Sequence, residues 1–139
     1  MTFKRSKPGE RGAAAVEFAL ILPVLLLLVL GLVEFGRAYN VQISLSNAAR
    51  EGARYMAIHN HERDAEAAAK AAAILAAPSV FNPEITENDI TISPSPCSGG
   101  EPVTVTINYE VEFLTGYEIF AGQGASIPLV GKGVMLCGG

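Results

Sequence analysis

Glu17 makes the greatest chemical demand on this chain. It sits inside the run Gly12–Val33, where every other residue from Ala13 onward is apolar, glycine or proline. A carboxylate in hydrocarbon costs about 2.5–3.5 kcal/mol on insertion scales, so an intramembrane acid marks a functional position with a partner to be found. In low dielectric an unpaired charge is costly, whereas an ammonium beside it is held strongly. Glu17 is the fifth residue after Gly12, and Gly12 closes a short basic leader.

The other side chains able to do chemistry form no catalytic constellation in the sequence. Cys97 and Cys137 are the only cysteines. Both follow the apolar run, and an even count in an oxidising compartment favours a disulfide over two free thiols. The bridge would close a loop of about 40 residues and add about 2–4 kcal/mol to a thin core. Lacking CxxC spacing, the pair makes a poor metal or redox site. His59 and His61, with Glu62 beside them, lack the HExxH arrangement and read as a surface turn. Gly131-Lys132-Gly133 lacks the preceding glycine frame and following hydroxyl of a phosphate loop. Gly122-Gln123-Gly124 reads as a turn, and no serine sits in a GxSxG elbow. Glu110 and Glu112 share the expected solvent face of one strand. The expectation is a chain that is not an enzyme and needs no cofactor and no metal.

The elements that must carry these residues follow from length and charge. The chain has 139 residues and no tryptophan. Ala13–Val33 is long enough to cross a bilayer core of about 30 Å as a helix. A cleaved secretory signal has an apolar core of about 7–15 residues and a small-x-small site. This run is longer, carries a charge near its start and flows without such a site into Gly31-Leu32-Val33-Glu34-Phe35-Gly36-Arg37. Pro23 lies within it, and proline is better tolerated in membrane helices than in soluble ones. What remains allows one small domain.

Charge orients the span. Lys4, Arg5, Lys7 and Arg11 against Glu10 give the leader +3, so the rest of the chain carries −7 of the net −4. Basic residues stay cytoplasmic, which places the N-terminus inside and the C-terminal domain outside. An acidic body argues against nucleic acid as a partner.

Beyond the span the helical signal continues. Val33, Tyr39, Ile43, Ala49, Tyr55 and Met56 recur at helical spacing, with Arg37, Asn40, Ser44, Asn47, Arg50 and Arg54 between them. A single helix from Ala13 to about Ile58 would measure about 70 Å. His59-Asn60-His61 reads as a break, with Asn60 or His61 capping a second, alanine-rich helix that ends before Pro78 and carries Glu62, Asp64 and Glu66 in its first turn. Pro78, Asn82, Pro83 and Asn88 mark a turn region. Ile90-Thr91-Ile92 reads as a short strand. Val103–Phe113 alternates apolar and polar residues with period two, the clearest strand in the chain. A glycine-rich connection over Thr115–Gly124 leads to a last strand from about Ser126 to Cys137, interrupted at Pro128 and Gly131. The fold class is α+β: a long N-terminal transmembrane helix continuing outward, a second Ala-rich helix and a small antiparallel sheet covered by that helix. The expected organisation is a leader at 1–12, a span at 13–33, extracytoplasmic helices at 34–77 and a small β domain at 85–139.

Ala48-Ala49-Arg50-Glu51-Gly52-Ala53-Arg54 is the densest cluster of small and charged residues outside the span. It reads either as a solvated helix with local ion pairs or as a packing site, where the small residues admit another helix and Arg50, Glu51 and Arg54 set its register.

These blocks resemble a known family. Arg11-Gly12-Ala13-Ala14-Ala15-Val16-Glu17-Phe18-Ala19-Leu20-Ile21-Leu22-Pro23, then Gly31–Arg37, then Asn47–Arg54, are similar in order and spacing to the TadE/TadG-like proteins, minor pilins or pseudopilins of the tight-adherence (Flp-type) pilus. The resemblance covers 11–54, and the short chain looks more like TadE than TadG. It implies a pilin-like subunit cut by prepilin peptidase between Gly12 and Ala13, with Glu17 at the fifth mature position meeting the new amine of a neighbour and setting subunit register. Ala13 departs from the phenylalanine usual at the first mature position of type IV pilins. The implied partners are other pilins and minor pilins, the inner-membrane pilus platform, prepilin peptidase and membrane lipid. The implied location is the bacterial inner membrane, with incorporation into an extracellular pilus and a part in secretion-type assembly and adhesion. Two alternatives stand beside it: an uncleaved, signal-anchored periplasmic scaffold of the same machinery, and a tethered periplasmic enzyme.

Overall fold

A computed structural model describes residues 8–78, 80, 83–114, 122 and 126–138. The basic leader up to Lys7 and most of the glycine-rich connection expected over Thr115–Gly124 lie outside the described residues. The elements are a helix α1 (Pro8–His59), a helix α2 (Ala65–Leu75), a 3-10 turn (Glu87–Asp89) and strands β1 (Ile90–Ser93), β2 (Pro102–Glu112) and β3 (Ser126–Leu136). The architecture is α+β, as the sequence indicates. The chain divides into two compact units, Met1–Phe35 and Gly36–Gly139.

The first unit holds the apolar part of α1. The helix continues through Pro23. Most of its large apolar side chains, among them Phe18, Leu20, Leu25 and Leu28, are half or more exposed. α1 is long and apolar enough to cross a membrane.

The second unit is built on an antiparallel sheet of order β1-β2-β3. Alternation in β2 sends Val103, Val105, Ile107, Tyr109 and Val111 to one buried face. Ile90 and Ile92 extend that face through β1, opposite Ile107 and Val105. β3 runs beside β2 with Gly133 opposite Val105 and Gly131 opposite Ile107.

Expectations on the last strand and its cover, the buried residues of α1 and the start of α2 are corrected here. The last strand is not interrupted: β3 is continuous through Pro128 and Gly131. β3 is an edge strand, the one place where a sheet accommodates proline. Gly131 and Gly133 are there because α1 lies against them. A Cβ on Gly131 would overlap the Leu45 carbonyl, and one on Gly133 would overlap the Ala49 carbonyl. The sheet is therefore covered at β3 by α1 itself, not by the Ala-rich helix alone.

The second concerns which of the helically spaced residues of α1 are buried: Ala49 and Met56 are, and Tyr39 and Ile43 are not. Tyr39 and Ile43 are exposed at 62% and 44%. The buried stripe is Ala38, Val41, Leu45, Ala48, Ala49, Gly52, Ala53, Met56 and Ala57. Hydrophobicity alone favours the larger side chains, but close approach of backbone to backbone selects the smaller ones.

The third is the start of α2. Neither Asn60 nor His61 caps it. Residues 59–64 are spent on turns, with Glu62 N–H donating to His59 O at 2.9 Å and Ala65 N–H to Glu62 O at 3.3 Å. The N-cap position falls at Asp64, whose side chain makes no cap hydrogen bond. Asn60 is buried, and its amide makes no hydrogen bond among the described residues. α2 ends at Leu75, before Pro78, and buries Ala65, Ala69 and Ala73.

Candidate functional site

Gly12, Ala13 and Glu17 lie on α1 in the first unit, and all three are exposed. Ala13 and Glu17 are four residues apart on one helix, so they occupy the same face, one turn from each other. The helix runs from Pro8 through the Gly12–Ala13 bond.

The second cluster, Arg50, Glu51, Gly52 and Arg54, splits in two. Gly52 is buried and faces inward. A Cβ there would lie 3.1 Å from Ala73 Cβ, 3.2 Å from Ala69 O and 3.5 Å from Val105 Cγ1. The helix that this small-residue patch admits is α2 of the same chain. Arg50 and Arg54 are exposed. Arg54 Nη2 donates to Glu51 Oε1 at 2.6 Å, and Nε donates to Glu51 Oε2 at 2.9 Å. This two-pronged hydrogen bond holds the Glu51 carboxyl below its ordinary range and raises Arg54. Both groups are solvated, so the pair orders the helix surface more than it stabilises the fold. Arg50, one turn earlier, keeps its guanidinium in solvent.

α1 is also tied to the sheet by polar side chains. Gln42 Nε2 donates to Val130 O at 2.9 Å, and Arg37 Nη2 donates to Glu112 O. With the two glycine seats, this gives α1 fastenings along the length of β3 and at the end of β2.

Cys97 and Cys137 are joined in a disulfide, with a sequence separation of 40. Both are buried in the core cluster. Gly100 N–H donates to Cys137 O at 2.8 Å, and Gly138 N–H donates to Ala57 O at 3.0 Å. The C-terminal end is thereby held to the loop before β2 and to the end of α1.

The remaining candidates are placed apart from one another. His59 stacks on Tyr55 with ring centroids 4.1 Å apart, and its Nδ1–H donates to Tyr55 O at 3.1 Å. His61 is exposed in the turn that follows. Lys132 points away from the helix, between the two seated glycines. Among the described residues, no group of three or more His, Cys, Asp or Glu side chains is placed to hold a metal ion.

A surface groove of about 690 Å³ is lined by Glu84, Asp89, Tyr109, Glu110 and Glu112, among others. Two of these acids are engaged nearby: Asp89 takes Thr86 N–H at 2.8 Å, and Glu110 takes the Ser126 hydroxyl at 2.9 Å. Tyr109 donates to Pro83 O at 2.8 Å, and burial raises its phenol above the ordinary range. A second groove, apolar and about 500 Å³, is lined by Arg54, Ile58, Pro102, Val134, Met135 and Leu136.

Sequence reasoning missed Leu45, Gly131 and Gly133 among the residues that join helix to strand. The signal was present as two glycines spaced two apart in a strand, which puts both on one face. It also missed Ser95, whose hydroxyl donates to Glu66 Oε2 at 2.5 Å while Lys70 Nζ reaches Glu66 Oε1 at 3.1 Å.

No curated protein and no solved structure matches the chain. The helix that spans the apolar segment and then forms one wall of the core does match: residues 12–54 fit the family described as TadE-like protein, the family that the sequence blocks resemble.

Proposed function

We propose that the chain is a TadE-like minor pilin or pseudopilin that takes part in assembling a tight-adherence (Flp-type) pilus. It is a single-pass protein of the bacterial inner membrane, with its N-terminus cytoplasmic and the Gly36–Gly139 unit outside. The reading is carried by one coincidence. The family match over 12–54 contains the membrane-length helix, the Gly12–Glu17 spacing and the patch on which the outer unit is built.

Prepilin peptidase cuts between Gly12 and Ala13, and the new amine at Ala13 becomes the partner that Glu17 requires. In a stack of subunits that pair rewards one register and penalises an uncleaved or misplaced copy. Other pilins, the inner-membrane platform and lipid are its partners. Its work is structural and interactive, not catalytic, and adhesion is the output of the assembled fibre.

The test is the mass of the native N-terminus in membranes prepared from cells that carry the peptidase. A chain beginning at Ala13 is expected. An intact Met1 overturns processing and leaves the second reading, an uncleaved anchored scaffold of the same machinery. The helical continuity from Pro8 through Ala13 is compatible with that second reading.

A further inference from the structure

The C-terminal end of the chain forms a closed corner. Cys137 N–H donates to Glu101 O at 2.9 Å, Cys137 O accepts from Gly100 N–H at 2.8 Å, and Gly138 N–H donates to Ala57 O at 3.0 Å. The disulfide sits within this corner, with Cys97 6% and Cys137 2% exposed. Cys97 Sγ lies 4.0 Å from Met56 O, so the end of α1 is one wall of the enclosure. Four residues before Cys137, Gly133 rests on the Ala49 carbonyl and fixes the height of β3 above the helix.

Thiol–disulfide exchange needs a thiolate to reach one of the two sulfurs. Here both sulfurs are enclosed by α1, β3 and the loop of residues 97–101. Exchange in the folded protein must therefore wait until this corner opens locally, and its rate follows the population of the open form. We propose that the disulfide is a gated latch: the seating of β3 on α1 shields it, and a dithiol opens it only when the strand lifts from the helix.

The chemistry balances with a dithiol reductant. Its thiolate attacks one cysteine sulfur, the S–S bond breaks, and the other sulfur leaves as a thiolate and takes a proton. The second thiol of the reductant then resolves the mixed disulfide. This chain ends with two thiols and the reductant with a disulfide. A dithiol protein of the oxidising compartment would thus act on unseated copies and pass over seated ones. Only that biological setting rests on the proposed location; the gating does not.

The experiment uses the full chain in detergent micelles, treated with dithiothreitol and quenched with a mass-tagging maleimide. The wild-type protein should label at least about 100-fold more slowly than the same protein in guanidinium. Gly133→Ala, which pushes a Cβ against the Ala49 carbonyl, should speed native labelling by about tenfold or more. Gly36→Ala, whose Cβ meets nothing within 4 Å, should label like wild type. If Gly133→Ala does not fold, Gly138→Ala carries the test, because at φ +74° any side chain strains the residue that bonds Ala57. Native labelling of wild type as fast as the unfolded rate overturns the proposal. So does a folded Gly133→Ala or Gly138→Ala that labels as slowly as wild type. The assay requires neither cleavage nor a pilus, so its failure leaves the proposed function standing, and an intact Met1 leaves the latch standing.

Discussion

Gly133 rests on the carbonyl of Ala49 with no room for a Cβ between them. Gly131 stands in the same relation to Leu45, one helical turn earlier. β3 and α1 therefore meet backbone to backbone, and the matched segment of α1 is part of the core of the Gly36–Gly139 unit.

Gly131→Ala and Gly133→Ala should each destabilise the Gly36–Gly139 unit. Overpacking a tight site costs about 1–3 kcal/mol, and here the obstacle is backbone, which cannot swing aside as a side chain can. Gly36→Ala, in open space on α1, should be neutral or slightly stabilising. Thermal unfolding of the three variants checks this. Equal midpoints would mean that the strand does not sit on the helix.

Gly52 makes a graded test. Its Cβ would lie at 3.1 Å from Ala73 Cβ, tight but not overlapping. Alanine also gains about 1 kcal/mol of helix propensity over glycine. The two effects oppose each other, so Gly52→Ala should change stability by less than about 1 kcal/mol. Gly52→Leu has no such offset and should cost about 2 kcal/mol or more by forcing α2 away from α1. Chemical denaturation of both variants separates the cases.

Removing the disulfide should cost the Gly36–Gly139 unit about 2–4 kcal/mol. The core is thin, with alanines where larger domains carry leucines, so this is a sizeable share of a typical total of about 5–15 kcal/mol. Cys97→Ser with Cys137→Ser should lower the denaturation midpoint while leaving the α1 helical signal in circular dichroism largely intact. A double mutant as stable as wild type would show that the hydrogen bonds at Gly100, Cys137 and Gly138 suffice without the bridge.

The main elements were legible in the sequence because their signals are periodic. β2 reads from Val103 to Val111 by alternation alone, and the long helix reads from continuous helical spacing. The inner face of α1 was legible only in part, at Ala49 and Met56. Tyr39 and Ile43 outrank Ala48 and Ala49 in hydrophobicity, yet they stay in solvent. Burial there is decided by how closely β3 approaches, which depends on Gly131 and Gly133 about 85 residues further along. Pro128 misled for a similar reason: it breaks a central strand but not an edge, and strand order is a tertiary fact. Of the candidate site, the cysteine pair could be read from residue type and compartment. The double use of the Arg50–Arg54 cluster, Gly52 inward and the arginines outward, required knowing where α2 packs.

Acidification should weaken the α2 surface. The Glu66 carboxyl is held below its ordinary range, chiefly by the Ser95 hydroxyl and then by Lys70. A carboxyl with a depressed folded value contributes stability that is complete above its unfolded value of about 4.3 and is lost as pH falls through the folded value. The side chain is largely solvated, so the contribution is about a few tenths of a kcal/mol. Ser95→Ala should flatten the stability–pH curve below about pH 4.3 while barely moving it at neutral pH. An unchanged acid limb in Ser95→Ala would mean that the hydroxyl does not hold the carboxylate.

Glu17→Gln bears directly on the proposed assembly role. Glu17 lies in the other compact unit, so folding and oxidation of the Gly36–Gly139 unit should match wild type. The amide keeps the size and shape of the carboxyl but loses the charge that draws a cleaved amine in low dielectric. The expected outcome is normal amounts of membrane-inserted protein, a native thiol-labelling pattern and a loss of processing or of incorporation into sheared pilus fractions. Glu17→Asp separates charge from reach: it keeps the anion and should retain part of the function. Full incorporation of Glu17→Gln would remove the charge pair as the source of register, and the span would then act as a plain anchor that holds the outer unit to the membrane.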